Sequence, residues 1–241
     1  MSPDGNLGQQ RTVTVWRVGL DPGYRICEAL RRHLTAEELR RVEHLSRSEL
    51  GRRWLVGRGA LREILAAELD QPPASVRLHL GPHGRPGLDP DAHRSDLDFN
   101  LSHSGELALV AVGRGLRVGV DVERPRPGRD PLRVANRYFS AAEVEAVQAV
   151  PETDRPLAFL RYWTAKEALA KGLGLGLQTP IGGLELAVQP GGTMVPVREA
   201  KDWRLIELTE LPRGYCGALA VDDEEAQIVI RDWRFGESPA A

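Results

Sequence analysis

Asp121 and Glu123 stand two residues apart in Gly119-Val120-Asp121-Val122-Glu123, and Glu167 and Lys171 stand four apart in Trp163-Thr164-Ala165-Lys166-Glu167-Ala168-Leu169-Ala170-Lys171. In the first box Val118, Val120 and Val122 alternate with Gly119, Asp121 and Glu123. That is the period of a strand, with one apolar face and both carboxylates on the other. Residues two apart on a strand lie about 6.6 Å apart at about 3.3 Å per residue, so two such side chains can lean onto one cation. In the second box the spacing of four sets Trp163, Glu167 and Lys171 on one stripe of a helix. Three carboxylates and a lysine suit a hard divalent metal and the phosphates it carries. An ordinary surface pair between Glu167 and Lys171, worth a few tenths of a kcal/mol, is the plainer account of the helix alone.

Lysine usage sharpens the second box. Of the 32 basic residues only Lys166, Lys171 and Lys201 are lysines, and two of them fall inside it. A chain that otherwise writes arginine has kept a compact, titratable ammonium there.

Further polar groups could join such a site. Asn100-Leu101-Ser102-His103-Ser104-Gly105 reads as a short loop whose donors suit an anion such as a phosphate, or as a turn whose hydroxyls serve the nearby backbone. No acid is placed to orient His103 and no Gly-x-Ser-x-Gly is present, which argues against a hydrolase triad. Between Arg31 and Arg62 nine arginines face four acids, mostly as solvated helix faces. Arg53, beside Trp54 and Leu55, is the one best set to reach a cleft; Arg85, in a turn-rich loop, is a second candidate phosphate fork. There is no Walker-type loop, and Leu173–Leu177 (LGLGL) follows a helix rather than opening one.

The elements that must position these residues alternate along the chain. Residues 11–18 read as a strand, and helices follow from about Pro22 to Leu69, with Thr35 followed by Glu37 and Glu38 as a start signal and a long helix from about Arg47 to Glu68. Residues 76–80 read as a short strand. Leu107–Val112 and Leu116–Glu123, joined by Gly113-Arg114-Gly115, have the spacing of a hairpin. Helices return over 132–138, from a capping box at Ser140 and Glu143, and over 156–171. Strands are expected over 183–188, 203–208, 214–221 and 226–233, the last two again in hairpin spacing. This weak internal duplication predicts an α+β fold of two similar halves related by a pseudo-twofold axis. The halves would be 1–123 and 132–241, joined by a linker at 124–131, with the site in the cleft between them.

Composition removes other classes. The chain has 241 residues, 41% hydrophobic, enough for a substantial core. With 34 acidic and 32 basic residues, no global field argues for nucleic acid or a membrane surface. No apolar run approaches the ~20 residues of a membrane span, and MSPDGNLGQQ lacks the apolar core of a signal peptide. Cys27 and Cys216 lack metal-site spacing and read as free thiols of a reducing cytosol, so the expected location is cytoplasmic.

The two boxes, with Phe99–Gly105 (FNLSHSG), resemble the 4′-phosphopantetheinyl transferases. The likeness is to the larger, two-halved kind that serves polyketide and non-ribosomal peptide synthases. That family has a Gly-Val/Ile-Asp-x-Glu strand, a Trp/Phe-x-x-Lys-Glu-x-x-x-Lys helix and a Ser-His loop; Arg85-Pro86 stands where it usually has Lys-Pro. The resemblance covers roughly residues 30–180. It implies coenzyme A bound in the cleft, with Mg²⁺, or Mn²⁺ in its place, held by Asp121, Glu123 and Glu167. It also implies that Arg53 and His103 hold the 3′-phosphate and that Ser102, Arg85 and Lys171 hold the phosphate chain. Gapless matching adds Arg41 as a basic phosphate ligand. A serine of an acyl, peptidyl or aryl carrier protein would attack the β-phosphate and release 3′,5′-ADP, with Glu167 or Lys166 as base, and with Lys171 and the metal that Asp121 helps to hold neutralising charge on the phosphates. One chain supplies both sides of the cleft, so a monomer is expected. The rivals are a non-catalytic module that binds coenzyme A or a carrier protein, and a Mg²⁺-dependent phosphohydrolase.

Overall fold

The computed structural model describes residues 11–45, 49–81, 84–175, 181–197 and 200–237. The MSPDGNLGQQ segment, Arg47 and the last two residues of the LGLGL run lie outside the described residues. Strand β1 (Thr12–Gly19) leads to helices α1 (Tyr24–Arg31), α2 (Ala36–Leu45) and α3 (Glu49–Glu68). Short strands β2 (Leu78–Leu80) and β3 (Pro86–Leu88) precede β4 (Leu97–Ser104), β5 (Leu107–Arg114) and β6 (Val118–Glu123). Helices α4 (Pro131–Tyr138), α5 (Ala141–Ala149) and α6 (Arg155–Leu173) follow. Strands β7 (Leu186–Val188), β8 (Met194–Pro196), β9 (Arg204–Glu207), β10 (Cys216–Val221) and β11 (Gln227–Asp232) complete the α+β chain.

Local chemistry explains the helix ends. Thr35 and Glu38 exchange hydrogen bonds at the start of α2, as Ser140 and Glu143 do at the start of α5, each a complete capping box. Helix α6 starts with Pro156 in its first turn and stops where Gly174 turns left-handed, φ +74°.

Two main sheets lie face to face between two helical layers. One has the order β11-β1-β5-β4, the other β6-β10-β9. Strand β5 is apolar on both faces because each meets a different core. Ala108, Val110 and Val112 face the α1–α3 cluster, whereas Leu107, Leu109 and Ala111 face Val118, Val120, Val122 and Leu219 of the second sheet. The outer face of the second sheet packs on α4–α6 through Ala218, Ala220, Leu205 and Trp203.

Neither predicted hairpin forms. Strand β5 pairs with β1 and β4, while β6 crosses to pair antiparallel with β10. Strand β11 leaves β10 and pairs parallel with β1. The reason is burial: β6 has valines for the space between the sheets and a Gly119/Asp121/Glu123 face for α6, a combination the first sheet cannot satisfy. Asn100–Ser104 is also a strand rather than a loop, since its alternate residues lie between β5 and β6.

The approach of β6 to α6 is backbone to backbone. A β-carbon on Gly119 would lie 2.0 Å from the Ala168 carbonyl oxygen and 2.4 Å from the Gly172 nitrogen. One on Gly172 would lie 2.3 Å from the Trp203 ring. Only glycine lets the carboxylate strand lie this close to the Glu167/Lys171 helix.

Candidate active site

Helix α6 and strand β6 together make an acidic pocket with one ammonium in it. Lys171 Nζ donates to Asp121 Oδ1 at 2.6 Å, to Ser102 Oγ at 3.1 Å and to the Val120 carbonyl at 3.3 Å. Ser102 Oγ donates to the same Asp121 oxygen at 2.6 Å, and Ser104 Oγ donates to Glu123 Oε2 at 2.8 Å. The other Asp121 oxygen, Oδ2, is buried and has no hydrogen-bond partner. A bare buried carboxylate oxygen is costly unless something positive faces it.

Glu167 is half-buried, one turn before Lys171 on the same stripe. Its carboxyl is pushed above the ordinary range by burial first and by the Asp121 charge next; Lys171 opposes this and Glu123 adds to it. The charges of Asp121 and Glu123 both act on Glu167, and a cation among them would relieve this repulsion. Cys27 and Cys216 are free thiols and take no part.

The donor set therefore fits a hard divalent ion in kind: all oxygen, one member already bare and buried. The three acids reach this fit without converging fully. Among the described residues, no three His, Cys, Asp or Glu side chains stand close enough to hold an ion as they are.

His103 follows Ser102 on β4 and keeps solvent access, yet the protein packed around it disfavours its charged form. Its pKa is lowered by this desolvation first and by the Lys171 ammonium next, with Glu123 and Asp121 opposing. Asp121, Glu123, Glu167, Lys171, Ser102 and His103 are thus the residues the fold brings together.

Four others are placed differently. Lys166, next to Glu167, points away into the C-terminal core, fully buried, with Nζ 2.6 Å from Glu143 Oε2 and over the Phe139 ring. Burial lowers the Lys166 pKa, with Glu143 opposing. Helical geometry is the cause, because adjacent residues on a helix diverge by about 100°.

Arg85 is not a free phosphate fork. Its terminal nitrogens donate to both Asp98 oxygens at 2.9 and 2.8 Å, and to the carbonyls of Lys171, Phe99 and Val118 at 2.9, 3.1 and 3.0 Å. It ties the C-terminal end of α6 to β4 and β6. Arg53 is forked onto Asp21 at 2.8 and 3.2 Å, with Glu106 at 3.4 Å. Arg41 lies exposed on α2, its guanidinium 5.2 Å from the Trp54 ring centre.

Three polar residues at the site carry no signal in the two boxes: Asp98, Asn100 and Ser104. Their mark is the strict alternation of Asp98, Asn100, Ser102 and Ser104 with Leu97, Phe99, Leu101 and His103, the period of a strand with one polar face.

Two family models match this chain. One described as the 4′-phosphopantetheinyl transferase superfamily matches residues 117–220, and one described as 4′-phosphopantetheinyl transferase, N-terminal, matches residues 21–114. Among curated proteins, the 4′-phosphopantetheinyl transferase HetI of Nostoc sp. is 36% identical over 196 residues, covering 81% of this chain and 82% of that protein. The 4′-phosphopantetheinyl transferase gsp of Aneurinibacillus migulanus is 28% identical over 163 residues, covering 68% of this chain and 65% of that one. The L-aminoadipate-semialdehyde dehydrogenase-phosphopantetheinyl transferase of Mus musculus is 29% identical over 167 residues, and the chain spans 54% of its length.

Proposed function

Since this chain belongs to the 4′-phosphopantetheinyl transferase superfamily, we propose that its activity, transfer of phosphopantetheine to carrier proteins, draws the group from coenzyme A with the help of Mg²⁺. The acceptor is a carrier-protein serine, and 3′,5′-ADP is the second product. The observation that carries this reading is the joining of Asp121, Glu123, Glu167 and Lys171 across the close contact of β6 with α6.

Asp121, Glu123 and Glu167 are the residues that would hold the metal, and Asp121 Oδ2 is the oxygen most in need of it. A bound Mg²⁺ supplies charge neutralisation on the pyrophosphate of coenzyme A. Lys171 adds a fixed ammonium beside the same phosphates and stabilises charge on the departing 3′,5′-ADP. Ser102, beside Asp121 and Lys171, and His103, within range of the same charges, suit phosphate oxygens.

The chemical step forms a bond from the serine oxygen to the β-phosphorus and breaks the bond to the 3′,5′-ADP oxygen. The serine proton passes to a base. Of the two candidates, Glu167 has the proton affinity and the position, raised by burial and neighbouring acids. Lys166 is sealed against Glu143.

We place the chain in the cytoplasm as a monomer of two pseudo-symmetric halves, 1–123 and 132–241, serving polyketide or peptide carrier proteins. No helix among the described residues is long and apolar enough to cross a membrane. The test is purified protein with coenzyme A, Mg²⁺ and apo carrier proteins of several pathways, read by intact mass. Addition of one phosphopantetheine is the expected result; no addition to any acceptor, beside an active control transferase, overturns the proposal.

A further inference from the structure

Strand β6 is an edge: β10 pairs with one side of it, and among the described residues no strand pairs with the other. An open edge is a row of unmet N–H and C=O groups. Here side chains meet them. The N–H groups of Val118, Val120 and Val122 donate to Asp98 Oδ2 at 2.9 Å, Asn100 Oδ1 at 2.9 Å and Ser102 Oγ at 3.4 Å. The carbonyls of Val118 and Val120 accept from Arg85 at 3.0 Å and Lys171 at 3.3 Å. Each N–H pair is separated by 20 positions in sequence, so β4 and β6 run side by side in step. At the Ser102 rung and the next one the same stripe meets the acids, Ser102 on Asp121 and Ser104 on Glu123.

The stripe is a side-chain ladder with a rung every second residue. Its rungs repeat at about 6.6 Å, the two-residue rise of a strand, and so match the N–H groups along one edge of β6. Slipping β6 by one residue would withdraw all three N–H groups from their acceptors. The ladder therefore sets how far along α6 the carboxylates sit. Asn100 and Ser104 are 5% exposed each, Asn100 accepting from the Val120 N–H and Ser104 donating to the Glu123 carboxylate.

We propose that Asn100 and Ser104 are positioning residues for the transfer: by holding β6 and the Glu123 carboxylate in register, they set Asp121 and Glu123 against Glu167 and Lys171. This rests on the transferase reading above and assigns to two residues outside both sequence boxes the task of shaping the metal's oxygen set. Side chains that orient metal ligands from behind typically change metal affinity or activity by about 10–100-fold when removed.

The experiment uses the full chain with Asn100→Ala and Ser104→Ala, read in three ways. Mn²⁺ binding in the presence of coenzyme A is followed by the electron-spin resonance of the free ion. Amide exchange is followed for Val120, and steady-state transfer is measured against Mg²⁺ and against carrier protein. Both variants are expected to bind Mn²⁺ about tenfold more weakly and to need correspondingly more Mg²⁺, with the carrier-protein KM unchanged. In Asn100→Ala the Val120 amide exchanges about tenfold faster, while amides between β9 and β10 keep their protection. Unchanged Mn²⁺ affinity in both variants overturns the proposal, as does a rise in carrier KM with metal binding intact. Ser104→Ala removes one oxygen only, and decides the matter should Asn100→Ala fail to fold. If the unaltered chain transfers nothing to any acceptor, the function proposed above falls, and Mn²⁺ affinity and Val120 exchange still decide this one.

Discussion

Gly119 and Gly172 touch through their backbones, with the space for a β-carbon on Gly119 filled by the Gly172 nitrogen and the Ala168 carbonyl. This contact puts the acids of β6 beside the acid and lysine of α6.

Gly119→Ala is therefore expected to disrupt the site and the fold together. An added methyl 2.0 Å from a carbonyl oxygen cannot be relieved by a side-chain rotation, because its neighbours are backbone atoms. The loss should be about 3 kcal/mol or more, measured by urea denaturation. A variant of unaltered midpoint would mean the two elements can separate freely.

Asp121→Ala separates chemistry from folding. Lys171 retains Ser102 and the Val120 carbonyl as partners and some access to water, so the fold should persist. Transfer should fall by about 100-fold or more, since a charge-bearing oxygen set loses its central member. Circular dichroism and intact-mass kinetics on one sample check both parts.

Glu167 links activity to pH and stability with opposite signs. Its carboxyl binds a proton more tightly in the folded chain than at its ordinary 4.5. The folded state thus holds more protons than the unfolded state above that value, and stability declines as pH rises through the raised folded pKa. Glu167→Gln removes this decline, so the variant should melt higher than the unaltered chain near neutral pH. It should also transfer about 100-fold more slowly. Melting curves from acid to neutral pH test the first part; parallel curves for the two proteins would refute it.

Lys166→Ala distinguishes a buried charge pair from a catalytic base. Removing the ammonium leaves Glu143 buried, with the Ser140 and Leu186 N–H groups as partners. The expected cost is about 3–5 kcal/mol of stability. Below its melting temperature the variant should keep the shape of the pH–rate profile. A lost low-pH limb would restore Lys166 to the chemistry as its base.

Much of this arrangement is legible in local sequence, and the reasons for the rest are physical. The valine alternation in β6, the four-residue stripe of α6 and the Ser140 capping box are short-range patterns, and each appears where its spacing puts it. Partner choice between strands is different. Gly113-Arg114-Gly115 has hairpin composition, yet β5 and β6 part because each has two faces to bury and only distant segments can cover them. The same limit applies to Arg85 and Arg53. Their residue type announces an anion, but Asp98 and Asp21, the anions they meet, are brought to them by the fold. Asn100–Ser104 has turn-like residues, and pairing with β5 makes them a strand whose polar side chains meet the edge of β6.

The crossing of β6 and β11 bears on how distant parts of the sequence are held. Strand β6 lies in the sheet of β9 and β10, and β11 lies in the sheet of β1, β4 and β5. Residues 11–123 and 132–237 are thus interlaced by one strand each, and parting them would break two ladders at once.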